Sequence, residues 1–501
     1  FGSRDNFGFP FARAAGSACL LLGMSSDSAD SSADASTFKP PPRPESLRSS
    51  VLLLHGFLLA ALLFFVAVGE LMKHSVPQGK FEKKDGSVID LKDFDPVELG
   101  PYPKCHPHWG EYESVDESGS RKWMKIKDAP TAGPFPPGHP ENPEFLAKRD
   151  VEAKREAKEE MFTWKGLQPS FHLLALASLC VALGAKHGVW IFTQPEEQGE
   201  EGGAAEAQTL LRKEDAYWFP VMGSALLFSL FIVYKYLGSE WIKFFVSLYI
   251  LVMCMLTFGA NVGNLVDVVR GQTAKPLFTV PYLDQKVTVF DIGGSIVGGL
   301  MCAGYLATKN WIINNIFGIS FCLMGLKKIA TSNFKTGGIM LMGLFFYDIF
   351  WVFGSKSVFG SNVMVTVAKG VEAPIKLMFP RSVNGCGNLE FSMLGLGDIV
   401  VPGIYIAFMA KWDAVIMGSK NVASSVYLNV CMVAYILSLV TTVAVMLLFN
   451  AAQPALLYIV PYVMVASVIL AFLRGEFWDL WAYDIPEKED EDAKAQEAKD
   501  K

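Results

Sequence analysis

Apolar residues in this chain fall into long runs separated by polar stretches of very different character. Val51 to Leu71 is one apolar run of membrane-spanning length. From Phe171 onward the runs come in quick succession, at 171–192, 217–237, 241–264, 290–308, 311–330, 336–354, 391–410, 426–449 and 453–473. That is nine runs beyond the early one. Backbone groups in hydrocarbon must satisfy each other internally, so each run is expected to be a helix. The pattern predicts an all-α polytopic membrane protein. It has a helical core over 170–484 and one additional N-terminal transmembrane helix at 51–71.

The polar parts divide the rest. Residues 1–50 form a Ser- and Pro-rich leader expected to be disordered. The first methionine is Met24, so residues 1–23 are set aside as a fragment end or translated upstream sequence. The 51–71 run reads as a signal anchor or as a late signal peptide, because Ala67-Val68-Gly69 resembles a cleavage site; its length and polar leader favour the anchor. Residues 72–169 are hydrophilic and Pro-rich, with a charged helical stretch near Glu144 to Glu160. Within the core the long loops are 194–215, an acidic and Gly/Ala-rich linker, 265–289 and 355–390. Trp478, Trp481 and Tyr483 form an interfacial belt after the last run. The tail at 485–501 is charged and expected in the cytosol. Lys327, Lys328, Lys335, Lys411, Lys420 and Arg474 mark run ends on one side, which the positive-inside tendency also places in the cytosol.

Composition narrows the function class. Of 501 residues 51% are hydrophobic, and the net charge of −6 resides in tails and loops. Nothing reads as a nucleic-acid surface. Cys180, Cys254, Cys302, Cys322 and Cys431 lie in apolar runs, where cysteine behaves as a small hydrophobe. Cys105-His106-Pro107-His108 has metal-ligand residue types but no fourth ligand at a typical spacing, so neither a metal nor another cofactor is expected.

Two aspartates carry the candidate chemistry. Asp348 lies in Gly-Leu-Phe-Phe-Tyr-Asp-Ile-Phe-Trp-Val-Phe-Gly at 343–354, and Asp398 in Met-Leu-Gly-Leu-Gly-Asp-Ile-Val-Val-Pro at 393–402. A carboxylate in hydrocarbon costs roughly 3 kcal/mol on insertion scales, so it is retained for function. Lys335 precedes Asp348 by 13 residues and Lys411 follows Asp398 by 13. In an antiparallel hairpin with both lysines on one side, each aspartate would sit roughly 20 Å deep, at equal depth. Two adjacent carboxyls in a low-dielectric site share one proton and supply a base and an acid together. That pair can activate water against a peptide carbonyl, and it can also move protons or ions; the pair alone leaves both open. Gly395 and Gly397 remove bulk beside Asp398, allowing a substrate backbone or a neighbouring helix to approach.

A third element follows. In Ala-Gln-Pro-Ala-Leu-Leu-Tyr-Ile-Val-Pro at 452–461, Pro454 and Pro461 interrupt helical hydrogen bonding about two turns apart. Tyr347-Asp348, the Gly395-Leu396-Gly397-Asp398 box and the Pro454-Ala455-Leu456 box, in that order, resemble the three signatures of the presenilin and signal peptide peptidase type of intramembrane aspartyl protease. The stretches Trp-Ile-Ile-Asn-Asn-Ile-Phe-Gly at 311–318, Asn-Val-Met-Val-Thr-Val-Ala-Lys at 362–369 and Glu-Ala-Pro-Ile-Lys-Leu at 372–377 read the same way.

The resemblance covers roughly 216–481. It implies a nine-helix presenilin-like core, a multi-pass endoplasmic reticulum membrane location, Asp348 and Asp398 as the catalytic pair, and Pro454, Ala455 and Leu456 packed beside them. Tyr347, Gly395 and Gly397 are the remaining supports. The implied activity is endoproteolysis of transmembrane helical peptides such as signal-peptide remnants within the lipid bilayer. A quality-control scaffold that binds helices without cutting them is the alternative from another class. A presenilin-type enzyme needing partner subunits and a transporter are further rivals, and a homo-oligomer is left open. Val363 to Val367, β-branched and free of Gly and Pro, is expected either to form a short strand when substrate binds, joined or not by Ile375 to Phe379, to which an unwound substrate could pair, or to be an interfacial helix or loop extension.

Overall fold

The computed structural model describes residues 45–71, 80–82, 87–93, 111–115, 121–125, 164–193, 208–233, 240–271, 274–280, 285–359, 363, 367, 373–383, 389–420, 425–449 and 453–485. Cys105 to His108, Cys386, Glu144 to Glu160, most of the acidic linker and the tail beyond Ile485 lie outside them.

Helix α1 spans Glu45–Leu71, so the helix starts six residues before the apolar run and takes the end of the expected leader. Two strand pairs follow, β1 (Lys80–Glu82) with β2 (Val88–Asp90) and β3 (Glu111–Val115) with β4 (Arg121–Lys125). Helix α2 (Trp164–Phe192) begins earlier than the apolar pattern, drawing the last residues of the polar segment into the first core helix. Strand β5 (Thr209–Leu211) leads into α3 (Lys213–Ile232) and α4 (Glu240–Arg270). Part of the expected loop at 265–289 is therefore the end of α4, and the rest includes the pair β6 (Phe278–Val280) and β7 (Gln285–Val287).

Helix α5 (Val289–Thr308) opens on a capping box in which Thr288 and Asp291 bond each other's backbone amides. It ends at Lys309, whose φ of 49° permits the sharp reversal into α6 (Trp311–Lys328). Strand β8 (Ile329–Thr331) pairs in parallel with β5. Helix α7 (Phe334–Ile349) is capped by Asn333 and continues as a π-helical turn, Phe350–Gly354, into the short α8 (Ser355–Phe359).

The antiparallel hairpin of β9 (Lys376–Val383) and β10 (Leu389–Gly395) then leads into α9 (Gly397–Lys420). The run expected as a span from 391 thus begins as a strand. Its polar and glycine positions do not sustain a helix until Gly397. Helices α10 (Val426–Phe449), α11 (Leu456–Arg474) and α12 (Phe477–Ala482) complete the chain.

Nine helices among the described residues are long and apolar enough to cross a membrane, α1 included. The eighteen-residue α6, with Asn314, Asn315, Lys327 and Lys328, is not counted with them, although most of its side chains are buried against protein. Helix α9 is the most enclosed, packed by α2, α6, α7, α10 and α11. Gly184 of α2 and Gly403 of α9 both face Leu326 of α6. An added Cβ would stand 2.4 Å and 2.5 Å from its side chain, so three backbones converge only because these positions are glycine.

Lys411 does not mark an aqueous boundary: α9 continues past it, and the side chain is 2% exposed. Its ammonium donates to Gln208 Oε1 and lies 5.6 Å from the Phe192 ring centre. Lys335 sits at the start of α7 with its ammonium 5.2 Å from the Trp481 ring. The five cysteines in apolar runs are free thiols, and four of them are buried.

Candidate active site

The two aspartates are carried by α7 and α9, which pack against each other and are separated in sequence by the β9–β10 hairpin. Asp348 lies in the last turn of α7, immediately before the π-helical turn, and is 3% exposed. Such turns widen the helix and are frequent at functional sites. Asp398 is in the first turn of α9, the helix packed against α7. The Asp398 backbone carbonyl accepts a 3.2 Å hydrogen bond from the Tyr435 hydroxyl of α10.

The proline-containing box closes the other side. Pro454, Ala455 and Leu456 are all buried. Helix α11 begins at Leu456, so Pro454 lies ahead of the helix, while Pro461 lies inside it. The Leu456 amide donates to Asp348 Oδ2 at 3.3 Å. A helix N-terminus leaves its first amides without intrahelical acceptors, and a carboxylate there satisfies one of them. The box is therefore in direct contact with the first aspartate.

The glycines behave differently from each other. A Cβ at Gly395 would meet Asp398 Oδ2 at 3.4 Å, so this position keeps the carboxyl unobstructed. A Cβ at Gly397 meets nothing within 4 Å. Among the described residues no neighbouring helix uses that space. Tyr347 turns toward α3: its ring is the nearest neighbour of a Cβ built on Gly223, at 3.7 Å. It also packs 6.3 Å, centre to centre, from Trp351, whose indole donates to Ser224 Oγ at 3.1 Å.

Val363 and Val367 are helical and buried, and the residues between them lie outside those described. A strand lies later, in β9, and takes in part of the second expected stretch, Ile375 to Phe379. β9 is held at one edge by α6. Asn315 accepts from Met378 N at 2.8 Å and donates to Met378 O at 2.7 Å, in the manner of an adjoining strand. Asn314 donates to Lys376 O at 2.7 Å. β10 pairs with β9 along its other edge and, in this two-stranded sheet, has no further strand partner among the described residues. Two amides in an apolar helix are the sequence signal for this anchor. Tyr435 and Ser224 carried no comparable signal.

The part of the chain that holds these residues is similar to known proteins. The family described as Signal peptide peptidase (Peptidase_A22B) matches residues 203–487. The signal peptide peptidase of Homo sapiens is 36% identical over 295 residues, covering 56% of this chain and 76% of that protein. Intramembrane protease 2 of Caenorhabditis elegans is 44% identical over 204 residues, covering 38% of this chain and 42% of its own length. A solved presenilin-family intramembrane aspartate protease aligns over 61% of this chain and 99% of its own at 16% identity, with a TM-score of 0.36. The matched region carries Asp348, Asp398 and the box at 454–456, while α1 precedes it. This multi-pass membrane chain belongs to the signal peptide peptidase family of intramembrane proteases.

Proposed function

We propose that Asp348 and Asp398 are the catalytic dyad of an aspartic endopeptidase that hydrolyses peptide bonds within transmembrane segments, signal-peptide remnants among them, in the endoplasmic reticulum membrane. The observation that carries the assignment is the convergence of three sequence boxes on one point. Asp348 and Asp398 lie on two helices packed against each other, and the Leu456 amide donates to Asp348.

The pair divides two roles. One carboxylate takes a proton from water as it attacks the scissile carbonyl. The other carboxyl donates a hydrogen bond to the carbonyl oxygen as negative charge develops there. The leaving amine then takes up a proton, and no covalent enzyme intermediate forms. Gly395 leaves the Asp398 carboxyl unobstructed, and the open space at Gly397 gives a substrate backbone room beside it.

A helical substrate hides its peptide bonds and must unwind locally. The edge of β10 that has no strand partner among the described residues ends at Gly395, three residues before Asp398, and offers backbone donors and acceptors to an unwound segment. Pairing there is tolerant of sequence, which suits an enzyme that meets many different helices.

The test is cleavage of a model transmembrane peptide containing a Gly-rich stretch by the purified protein, with and without a transition-state-mimicking aspartyl protease inhibitor. Inhibitable cleavage supports the reading. Binding of the peptide without cleavage would instead make the chain a helix-holding scaffold.

A further inference from the structure

Helix α1 lies outside the family match, yet it is fastened to the core at both ends. Near its start, Arg48 Nε donates to Val268 O at 3.0 Å and Nη2 to Val269 O, satisfying carbonyls at the C-terminal end of α4. Along its length Leu47, Val51, Leu58 and Phe65 are buried, at spacings that keep them on one face, while Leu53, Phe57, Leu59 and Leu63 are exposed. At its far end a Cβ on Gly69 would stand 2.5 Å from the Trp311 ring and 3.3 Å from Pro380. The helix therefore reaches the outside of strand β9.

The contact there is a stack of rings. Phe65 of α1 meets His172 of α2 edge-on, with centres 4.4 Å apart. His172 stacks on Phe379 of β9 at 4.2 Å. Phe379 also meets Phe65 at 6.1 Å and Trp311 of α6 at 5.9 Å, both edge-on. His172 and Phe379 are 2% and 1% exposed. Phe379 pairs in register with Ser392 of β10, and β10 runs directly through Gly395 to Asp398. Leu396, between them, donates its amide to Ile375 O, just before β9. The ring stack and the aspartate thus belong to one rigid unit.

We infer that α1 is a positioning element of the active site: Phe65, through His172 and Phe379, holds the β9–β10 hairpin so that Asp398 meets Asp348. The inference rests on the proposed dyad. Asn314 and Asn315 fix the hairpin at the level of Lys376 and Met378, through the backbone. The ring stack fixes it one residue further along, through a side chain. Without Phe65 one wall of the Phe379 site is missing, and the hairpin gains freedom to tilt. Small displacements of a catalytic group cost disproportionately in turnover, roughly 100-fold for 1 Å.

The experiment measures kcat and KM for a transmembrane peptide with the full-length protein, together with the affinity of a transition-state-mimicking inhibitor. Phe65→Ala and His172→Ala are expected to lower kcat about tenfold, to leave KM unchanged, and to weaken the inhibitor in parallel with kcat. His172→Phe, which keeps the stacked ring, restores most of the turnover. Leu63→Ala, on the exposed face of α1, behaves as wild type. Where Phe65→Ala yields too little folded protein, Phe65→Leu keeps the volume without the ring and is expected to show the same split. Normal kcat in Phe65→Ala or Phe65→Leu overturns the inference, as does a His172→Phe enzyme no better than His172→Ala. A wild-type protein that neither cleaves the peptide nor binds the inhibitor refutes the dyad itself, a result distinct from failure of the clamp.

Discussion

Replacing Asp348 separates catalysis from stability in a way that depends on the substituent. The carboxyl has two attributes, a proton-transfer group and a buried acceptor for the Leu456 amide. Asp348→Asn keeps an oxygen for that amide and removes the titrating group. Asp348→Ala removes both. An orphaned buried N–H costs about 1–3 kcal/mol, and loss of a helix cap typically costs about 1 kcal/mol. Removing a carboxyl from apolar surroundings returns a desolvation cost of similar size, so Asp348→Ala still folds and inserts. The expected order of stability is Asn above Ala, by about 1 kcal/mol. General acid–base groups contribute about 10²- to 10⁴-fold, so both variants should lose at least about 100-fold in cleavage. The assay is peptide cleavage followed by mass spectrometry, with thermal unfolding in the same detergent. Cleavage by Asp348→Asn within about tenfold of wild type would refute the catalytic assignment. An alanine variant more stable than the asparagine one would refute the account of the Leu456 amide.

Gly397→Val should leave thermal stability near wild type, because among the described residues no atom of a neighbouring element lies within 4 Å of the added Cβ, while cleavage falls sharply; normal turnover would show that substrate does not use that space. Pro454→Leu should let α11 extend toward its N-terminus and carry the Leu456 amide off Asp348, abolishing cleavage; a fully active variant would make the box incidental. Asn315→Ala should leave both backbone groups of Met378 unpaired and destabilise the protein by about 2–3 kcal/mol, read as a fall in melting temperature, and unchanged melting would mean that β9 is held elsewhere.

The helices were legible because membrane helices are written as apolar runs, and α5, α10 and α11 begin within a few residues of the expected positions. The hairpin was not. Lys376 to Gly395 mixes apolar, polar and glycine positions, and its strands are set by partners remote in sequence, Asn314 and Asn315 on α6. Period alone therefore placed a span from 391, where the chain forms a strand as far as Gly395. Lys411 misled for a related reason: a charged residue in an apolar run suggests a boundary, whereas Gln208 and the Phe192 ring receive it inside the protein. The candidate site residues stand out in the sequence more than their scaffold does. Asp348, Asp398 and the 454–456 box are chemically anomalous in hydrocarbon. Tyr435, which holds the Asp398 carbonyl, resembles any other aromatic in a helix.

The most direct measurement compares cleavage of one transmembrane peptide by purified wild type, Asp348→Asn, Asp398→Asn and the double variant. Carboxyls that act as one unit are not additive. The account predicts that both single variants and the double variant fall to the same floor. A single variant retaining more than a few per cent of wild-type turnover, or a double variant far slower than either single one, would contradict the shared-proton dyad.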